Sequence, residues 1–200
     1  MTQPALFDTA SPEESAADNS SDIDAGDGGE AVSGLDTERP PVPPMEVRVI
    51  RSARRVKSVQ ARVVDGVVEL RIPASASAAQ EERWKSEMLE RFERNRSSSQ
   101  WDLPTRAQEL SKRYDLPVPT SVRWVSNQKF RWGSCTVSTA TIRISDHVAA
   151  FPDWVVDYVL MHEMAHLVHA DHSPAFWDLV ARYPQAERAK GYLEAKADGR

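Results

Sequence analysis

The feature that most constrains this chain is a cluster of histidines and one glutamate between residues 162 and 172. Its chemistry-bearing members are His162, Glu163, His166 and His172. Two histidines four residues apart lie on one face of a helix, where both imidazoles can reach a single cation. The glutamate beside the first histidine points toward the open position of such a metal. This spacing predicts the active-site helix of a zinc hydrolase of the metalloprotease type.

The residues around the motif predict that this helix is buried. From Pro152 onward the sequence is apolar nearly all round for about 17 residues, and Pro152 and Asp153 supply a start signal. The alternative is a buried helix whose histidines are only hydrogen-bonded, but Glu163 would then be a buried charge without a partner. A metal resolves this difficulty, and one Zn²⁺ per chain is the predicted cofactor.

A catalytic zinc site needs a third protein ligand. We favour His172, because residues 171–174 read as a turn with Ser173 as the cap of a new helix, so that the imidazole can return to the metal. His169 shares the face of His162, but at ~1.5 Å rise per residue it lies about 10 Å away along the axis. It is better interpreted as marking the helix end. Carboxylates could also supply the third ligand, and the candidates are Asp171, Glu187 and Glu194.

The predicted reaction is hydrolysis of a peptide bond by a metal-activated water. Zinc would polarise the scissile carbonyl, while Glu163 would act as the general base that takes the proton of the water and passes it to the leaving amine. The oxyanion that develops in this reaction needs a further partner. The candidates are Tyr183, Tyr192 and Arg182, and sequence distance does not choose among them.

Three separated segments of the chain resemble one known family. Arg131 to Cys135 reads Arg-Trp-Gly-Ser-Cys and precedes the zinc helix, and His172 to Trp177 reads His-Ser-Pro-Ala-Phe-Trp and follows it. In this order, and with the histidine motif between them, the segments are similar to the YgjP-like metallopeptidase domain, a relative of the SprT-like and WLM zincins. The resemblance covers roughly residues 122 to 180, and the segment before it also fits the family's strand-rich and helical lead-in.

The resemblance implies an α+β, zincin-like metallopeptidase fold, in which a small antiparallel or mixed sheet packs against helices that include the active-site helix. Carried over by position, the ligands of the family fall on His162, His166 and His172. Its catalytic glutamate falls on Glu163. His169 is a departure from the family pattern, because a polar residue that is not a ligand is expected there.

The resemblance also places residues 129–136, an aromatic and basic stretch that ends in a turn of small residues, near the metal. A strand edge beside a zincin site commonly aligns an extended substrate by backbone pairing. Trp132 and Gly133 are therefore candidates for the substrate cleft, with the glycine allowing close backbone approach. Trp132 is equally well explained as a core residue.

The distribution of charge divides the chain into parts. Residues 1–38 contain ten acidic and no basic side chains and show no hydrophobic periodicity, which predicts a disordered acidic tail. The prolines of residues 39–45 predict a stiff linker. Residues 46–200 are long enough for one domain with a core, and we predict a single metallopeptidase domain there.

The basic residues are concentrated between Arg39 and Arg131, where 19 basic side chains accompany 11 acidic ones. A basic face near a hydrolase site suits nucleic acid or an acidic protein, although an ordinary solvated surface explains the same excess. The principal expected partner is a protein or peptide substrate. The alternative function is a noncatalytic, zinc-stabilised module that binds nucleic acid or protein on a zincin fold.

The remaining patterns predict elements and location. The expected strands are 46–51, 56–64, 121–126 and 139–145, with an Asp65-Gly66 hairpin, and the further helices are 79–95, 105–114, 173–183 and 185–197. Cys135 is the only cysteine, and we interpret it as a small buried hydrophobe. Neither a signal peptide nor a membrane span is predicted, so the protein is expected to be cytoplasmic.

Overall fold

The computed structural model of the chain describes residues 7–9, 43–128 and 130–197. The strands are β1 (Phe7–Thr9), β2 (Val47–Ser52), β3 (Gln60–Val64), β4 (Val67–Pro73), β5 (Ser121–Val125), β6 (Gly133–Thr136) and β7 (Thr141–Ser145). The α-helices are α1 (Ala78–Ser99), α2 (Leu103–Tyr114), α3 (Asp153–Ala165), α4 (Pro174–Val180) and α5 (Ala186–Ala197). The chain divides into two compact units, one of residues 40–102 and one of residues 1–39 with 103–200.

The unit of residues 40–102 is a three-stranded sheet with one helix. Its strand order is β2-β4-β3, with β2 parallel and β3 antiparallel to β4. Asp65 and Gly66 turn the hairpin with φ values of 51° and 80°, which confirms the Asp-Gly prediction. The core of this unit contains the buried Leu70 and Ile72, against which Trp84 of α1 packs.

Two boundaries in this unit differ from the sequence prediction. Strand β3 begins at Gln60 rather than at Val56, because the chain turns just before it, where the Arg55 N–H donates to the Ser52 carbonyl at 3.3 Å. Helix α1 continues to Ser99, one turn beyond the expected end.

The unit that carries the histidine motif is a four-stranded mixed sheet with helices α2 to α5. The strand order is β1-β6-β7-β5. Strand β7 is parallel to β5 and antiparallel to β6, and β1 is parallel to β6. Small mixed sheets combined with five helices confirm the predicted α+β class.

Two strands of this sheet lie where other structure was predicted. Residues 133–136, expected to form a turn of small residues, are strand β6 and pair with β7. Residues 7–9 lie in the predicted disordered tail and form strand β1. The rest of the tail and most of the proline linker lie outside the described residues, so those predictions stay predictions.

Helix α3 is buried on all sides, as its apolar sequence predicted. Eleven of its 13 residues are buried, and Pro152 stands at its N-cap. The helix ends at Ala165, earlier than predicted. Beyond that point the N–H groups of Leu167 and Val168 donate to carbonyls three residues back, each at 3.0 Å, which tightens the last turn.

An ion pair joins α3 to α2. Nε and Nη2 of Arg106 each donate at 2.6 Å to one carboxylate oxygen of Asp157, and the side chains are 15% and 3% exposed. Two charge-assisted bonds in this geometry hold both helices in register. In the part of the chain that the structure describes, no helix is long and apolar enough to cross a membrane.

Candidate metal centre

Three histidines meet at the C-terminal end of α3. His162 and His166 are completely buried, and His172 comes from the turn that leads into α4. The imidazole centroids are 5.0 Å apart for His162 and His166, 5.2 Å for His162 and His172, and 4.7 Å for His166 and His172. One nitrogen of each ring lies within 4.8 Å of the others. The structure thus brings together the three residues predicted as ligands.

The spacing of these nitrogens fits a zinc ion. Ligand atoms ~2.0–2.1 Å from a tetrahedral zinc lie about 3.3 Å from one another, and Nε2 of His162 is 3.2 Å from Nε2 of His172. Three protein ligands also match the number found in catalytic zinc sites, which keep a fourth position for water or substrate. An all-imidazole set suits zinc and other borderline transition metals rather than calcium or magnesium.

His166 is oriented by the backbone of the turn that follows it. Its Nδ1 lies 3.1 Å from the carbonyl oxygen of His169, so Nδ1–H donates and Nε2 keeps its lone pair. Nε2 is buried without a hydrogen-bond partner among the described residues. A buried nitrogen of this kind, beside two further imidazoles, would be satisfied by a metal ion. His169 contributes its carbonyl, while its side chain lies outside the cluster.

Two aromatic residues of α4 pack on the imidazoles. Phe176 is stacked on His166 with centroids 4.4 Å apart and an interplanar angle of 27°. Trp177 is stacked on His172 at 5.5 Å and 24°. The turn between His172 and α4 therefore places the third imidazole next to the two aromatic rings of α4 that pack on the site. Phe176 and Trp177 are packing residues, and they pack against the imidazoles of the site itself.

Burial favours the neutral form of all three imidazoles. It lowers the pKa of His162 well below the ordinary value, with the charges of His166 and His172 acting in the same direction. Burial also lowers the pKa of His166 from 6.5 to about 4 and the pKa of His172. Because a metal binds only the neutral ring, the cluster is ready for a cation at neutral pH.

Glu163 is a buried acid whose carboxylate accepts no hydrogen bond from the described residues. It is completely buried, and neither carboxylate oxygen has a hydrogen-bond partner among the described residues. Burial raises the pKa of Glu163 well above its ordinary value, and the positive charge of Arg131 opposes this rise. A cation held by the histidines would favour the charged carboxylate in the same way.

The two candidates for the substrate cleft lie on or beside β6. Trp132 is completely buried and its ring contacts Phe151 at 5.4 Å, so the indole lies in the core, as the second of the two interpretations of this residue predicted. Gly133 adjoins Glu163: a Cβ atom at this glycine would lie 2.8 Å from Cγ of Glu163. The segment is therefore next to the predicted base, although Trp132 does not present its ring at a surface.

The two candidate oxyanion tyrosines lie against the first turn of α3. The Tyr183 hydroxyl donates to the Trp154 carbonyl at 3.0 Å, which is about 12 Å along the helix axis from His162 at ~1.5 Å per residue. The Tyr192 ring contacts Phe151 and Trp154 at 5.3 and 5.5 Å. Tyr183 would have to give up its hydrogen bond to serve an oxyanion. Their catalytic role stays a prediction.

The acidic candidates for the third ligand are exposed and are not members of the cluster. Glu187 and Glu194 belong to α5, where their charges, after burial, raise the pKa of Tyr158. Asp171 is also exposed. In the described part of the chain, the one group of side chains with metal-binding geometry consists of the three histidines.

Two contributors to the site were not assigned a role from the sequence. Arg131, whose charge acts on Glu163, is the first residue of the Arg-Trp-Gly-Ser-Cys segment. Its place in that segment was the sequence signal that could have indicated a role in the site. The His169 carbonyl that orients His166 is a backbone group. Since every residue carries a carbonyl, no sequence pattern distinguishes this one.

The α+β fold with clustered histidines and a buried glutamate on one helix is consistent with a zincin-like metallopeptidase domain. Residues 50–196 match the family model described as YgjP-like, metallopeptidase domain, so the chain belongs to the YgjP-like metallopeptidase family. This confirms the resemblance seen in the sequence. No curated protein and no solved structure gives a significant match to the chain.

Proposed function

We propose that this protein is a zinc-dependent peptidase that hydrolyses peptide bonds with Glu163 as the general base. The observation that carries the proposal is the combination of three imidazoles within ligand distance and a buried, unpartnered carboxylate one residue after the first of them. Membership of a metallopeptidase family supports hydrolysis as the class of reaction. His162, His166 and His172 would hold one zinc ion per chain.

Glu163 carries the proton in this proposal. A bound zinc ion would act as a Lewis acid on the scissile carbonyl and would lower the pKa of a water molecule. Glu163 takes a proton from the attacking water and then gives it to the leaving amine. Its burial removes competing hydrogen bonds from bulk water, so the carboxylate is available to the reacting groups.

The electrostatic setting of Glu163 suits both halves of this transfer. Burial raises the pKa of its carboxyl group, which makes the carboxylate a stronger base than an exposed glutamate. The charge of Arg131, which lowers the same pKa, and that of a bound cation favour the carboxylate form, which accepts the proton. The protonated form then gives the proton to the leaving amine.

The edge of β6 supports a peptide as the substrate. Strand β1 pairs in parallel along this edge, with Phe7 opposite Gly133 and Thr9 opposite Cys135. An extended backbone therefore fits beside a strand whose first residue adjoins Glu163. A substrate strand that took the place of β1 beside β6 would bring its own backbone close to the proposed base.

The extent of the catalytic domain is also a proposal. The family match runs from residue 50 to residue 196 and covers both compact units. We therefore retain the prediction that residues 46–200 act together as one metallopeptidase domain.

The proposal is tested by incubating the zinc-loaded full chain with a diverse peptide library and identifying the cleaved bonds by mass spectrometry. Glu163→Gln is the matched control, because it keeps the shape of the side chain and removes its basicity. We expect the variant to keep its zinc and to lose turnover by about 10²–10⁴-fold. Chelation should abolish cleavage by the wild type, and added zinc should restore it.

Two outcomes would contradict the proposal. Equal cleavage by the wild type and Glu163→Gln would remove the glutamate from its role as base. Ester or nucleic-acid hydrolysis that depends on Glu163, without any peptide cleavage, would keep the mechanism and change the substrate class.

A further inference from the structure

Gly133, the first residue of β6, lies directly against the side chain of Glu163. A Cβ atom at Gly133 would lie 2.8 Å from Cγ and 2.9 Å from Cδ of Glu163, and it would also contact Oε1. Real Cβ atoms essentially never approach other atoms within 3.0 Å. Any side chain at this position would therefore force the outer half of Glu163 to move.

The backbone conformation does not explain the glycine at this position. Among the glycines of the described residues, Gly66 alone has a positive φ, of 80°. A Cβ at Gly66 or at Gly191 would meet nothing within 4 Å. Gly66 thus allows a turn, and Gly191 has open space around it. Among the described glycines, Gly133 alone lacks a side chain where another residue occupies the space.

We infer that Gly133 is a positioning residue for the catalytic glutamate: the absence of a side chain on β6 creates the space in which the Glu163 carboxylate is held beside the three histidines. This inference rests on the proposed function, in which Glu163 is the general base. It assigns to the glycine of the Arg-Trp-Gly-Ser-Cys segment a role in placing the base.

Strand β6 cannot easily withdraw to make room for a larger residue. Gly133 pairs with Ile144 of β7, and the Ser145 N–H donates to the Trp132 carbonyl at 2.9 Å. One residue further along, the Gln128 side-chain amide donates to Ser134 Oγ at 2.6 Å. A β-ladder fixed on both sides of Gly133 leaves the glutamate as the group that must be displaced.

Glu163 has no route into solvent when it is displaced. Its side chain is completely buried, as are those of His162 and Met164 on either side of it in α3. A displaced carboxylate would therefore take up a new position within the packed site. The three atoms nearest to a Cβ at Gly133 all belong to Glu163, so the effect should fall on proton transfer and spare the metal ligands.

The kinetic test compares the zinc-loaded full chain with Gly133→Ala, using a peptide identified in the library experiment. We expect kcat to fall by about 100-fold, because a displacement of the order of 1 Å at a catalytic group costs that much, while KM and zinc content change by less than about twofold. Gly191→Ala, a glycine with open space, is the matched control and should keep the wild-type kcat. An unchanged kcat in zinc-loaded Gly133→Ala would overturn the inference.

A second test measures the contact without requiring any activity. Thermal unfolding of the metal-free full chain is followed for the wild type, Gly133→Ala, Glu163→Ala and the double variant. We expect Gly133→Ala to lower Tm markedly in the presence of Glu163 and to have little effect once Glu163 is alanine. An equal loss of Tm in both backgrounds, or failure to fold in both, would overturn the inference.

The two tests separate failure of the inference from failure of the proposed function. If no peptide is cleaved by the wild type, the proposed function fails, while the unfolding cycle still decides whether Gly133 makes room for Glu163. If peptides are cleaved and Gly133→Ala is as active as the wild type, the proposed function stands and the positioning role is wrong.

Discussion

Helix α3 carries one buried acid near each end, and the two acids differ in their hydrogen-bond partners. Near its start, Asp157 accepts two hydrogen bonds of 2.6 Å from Arg106 of α2. Near its end, Glu163 is equally enclosed, yet its two oxygens have no hydrogen-bond partner among the described residues. The first acid is neutralised by the protein, and the second stands beside three imidazoles that can hold a cation.

This difference teaches how to tell a structural acid from a catalytic one in the same element. Burial of a charged carboxylate normally costs on the order of several kcal/mol of folding stability, unless a hydrogen-bonded or oppositely charged partner compensates it. Asp157 meets that condition within the folded chain, so its role is to hold α2 and α3 together. Glu163 has the more distant charge of Arg131 but no hydrogen-bond partner among the described residues, so its oxygens are available for chemistry.

The largest effect on stability is expected from removing Asp157, the buried acid that is paired with Arg106. Asp157→Ala would leave Arg106 largely buried and without its main partner, and should lower the free energy of unfolding by about 3–5 kcal/mol. Chemical denaturation of the full chain measures this change. Asp178→Ala, an exposed acid on α4, is the control and should stay within about 0.5 kcal/mol of the wild type. Equal effects of the two substitutions would contradict the structural role of Asp157.

A smaller effect of opposite sign is expected from replacing Glu163, the buried acid that accepts no hydrogen bond from the described residues. In the metal-free chain, Glu163→Gln should raise the free energy of unfolding at pH 7 by about 1–3 kcal/mol, because it removes an unpartnered acid. The raised pKa of Glu163 means that the folded chain keeps a proton that the unfolded chain loses above about pH 4.5. The contribution of Glu163 to stability therefore falls as the pH rises above this value.

Denaturation at pH 5 and pH 7 measures this second effect. The gain from Glu163→Gln should be larger at pH 7 than at pH 5, and zinc should diminish it. A loss of stability in the metal-free variant at both pH values would show that Glu163 is compensated within the protein after all.

A third effect tests the comparison from the side of the histidines. Burial lowers the pKa of His166 from 6.5 to about 4, so between these values the unfolded chain binds a proton that the folded chain does not. His166 therefore contributes a loss of stability in the metal-free chain as the pH falls from 6.5 to about 4. His162, whose pKa is also lowered, adds to this loss.

His166→Gln is the variant that tests this dependence. Placed in a Glu163→Gln background, it removes the opposing contribution of the glutamate, and the slope of stability against pH between 6.5 and 4 should decrease. A slope that is the same with and without His166 would contradict the lowered pKa.

Local patterns predicted the parts of the site that follow from spacing in the sequence. His162 and His166 are one helical turn apart, and the apolar residues before them identified the buried helix that carries them. The Asp65-Gly66 hairpin followed from an equally local signal, whereas the α+β class was implied by the family resemblance. His172 required a turn back toward the helix, which the Ser173-Pro174 start of α4 indicated.

The remaining features depend on contacts between distant parts of the chain. Arg106 and Asp157 are 51 residues apart, and Gly133 reaches Glu163 from a different strand. The periodicity of apolar residues within one helix or strand does not indicate which distant residues come into contact. Strand β6 was missed because Gly133 and Ser134 are typical of turns, and the ladder with β7 overrides that local preference.

The central claim is that three imidazoles hold a zinc ion next to a buried glutamate that accepts no hydrogen bond from the described residues. It is tested most directly by the zinc content of the purified full chain, measured by elemental mass spectrometry in the wild type, Glu163→Gln, His172→Ala and His169→Ala. The last variant changes a histidine whose side chain lies outside the cluster.

We expect one zinc ion per chain in the wild type, in Glu163→Gln and in His169→Ala, and weakened binding in His172→Ala. Full retention of zinc in His172→Ala would contradict the three-histidine site and move the third ligand to Glu187 or Glu194. Absence of zinc from all four proteins would instead favour a noncatalytic binding module on the same fold.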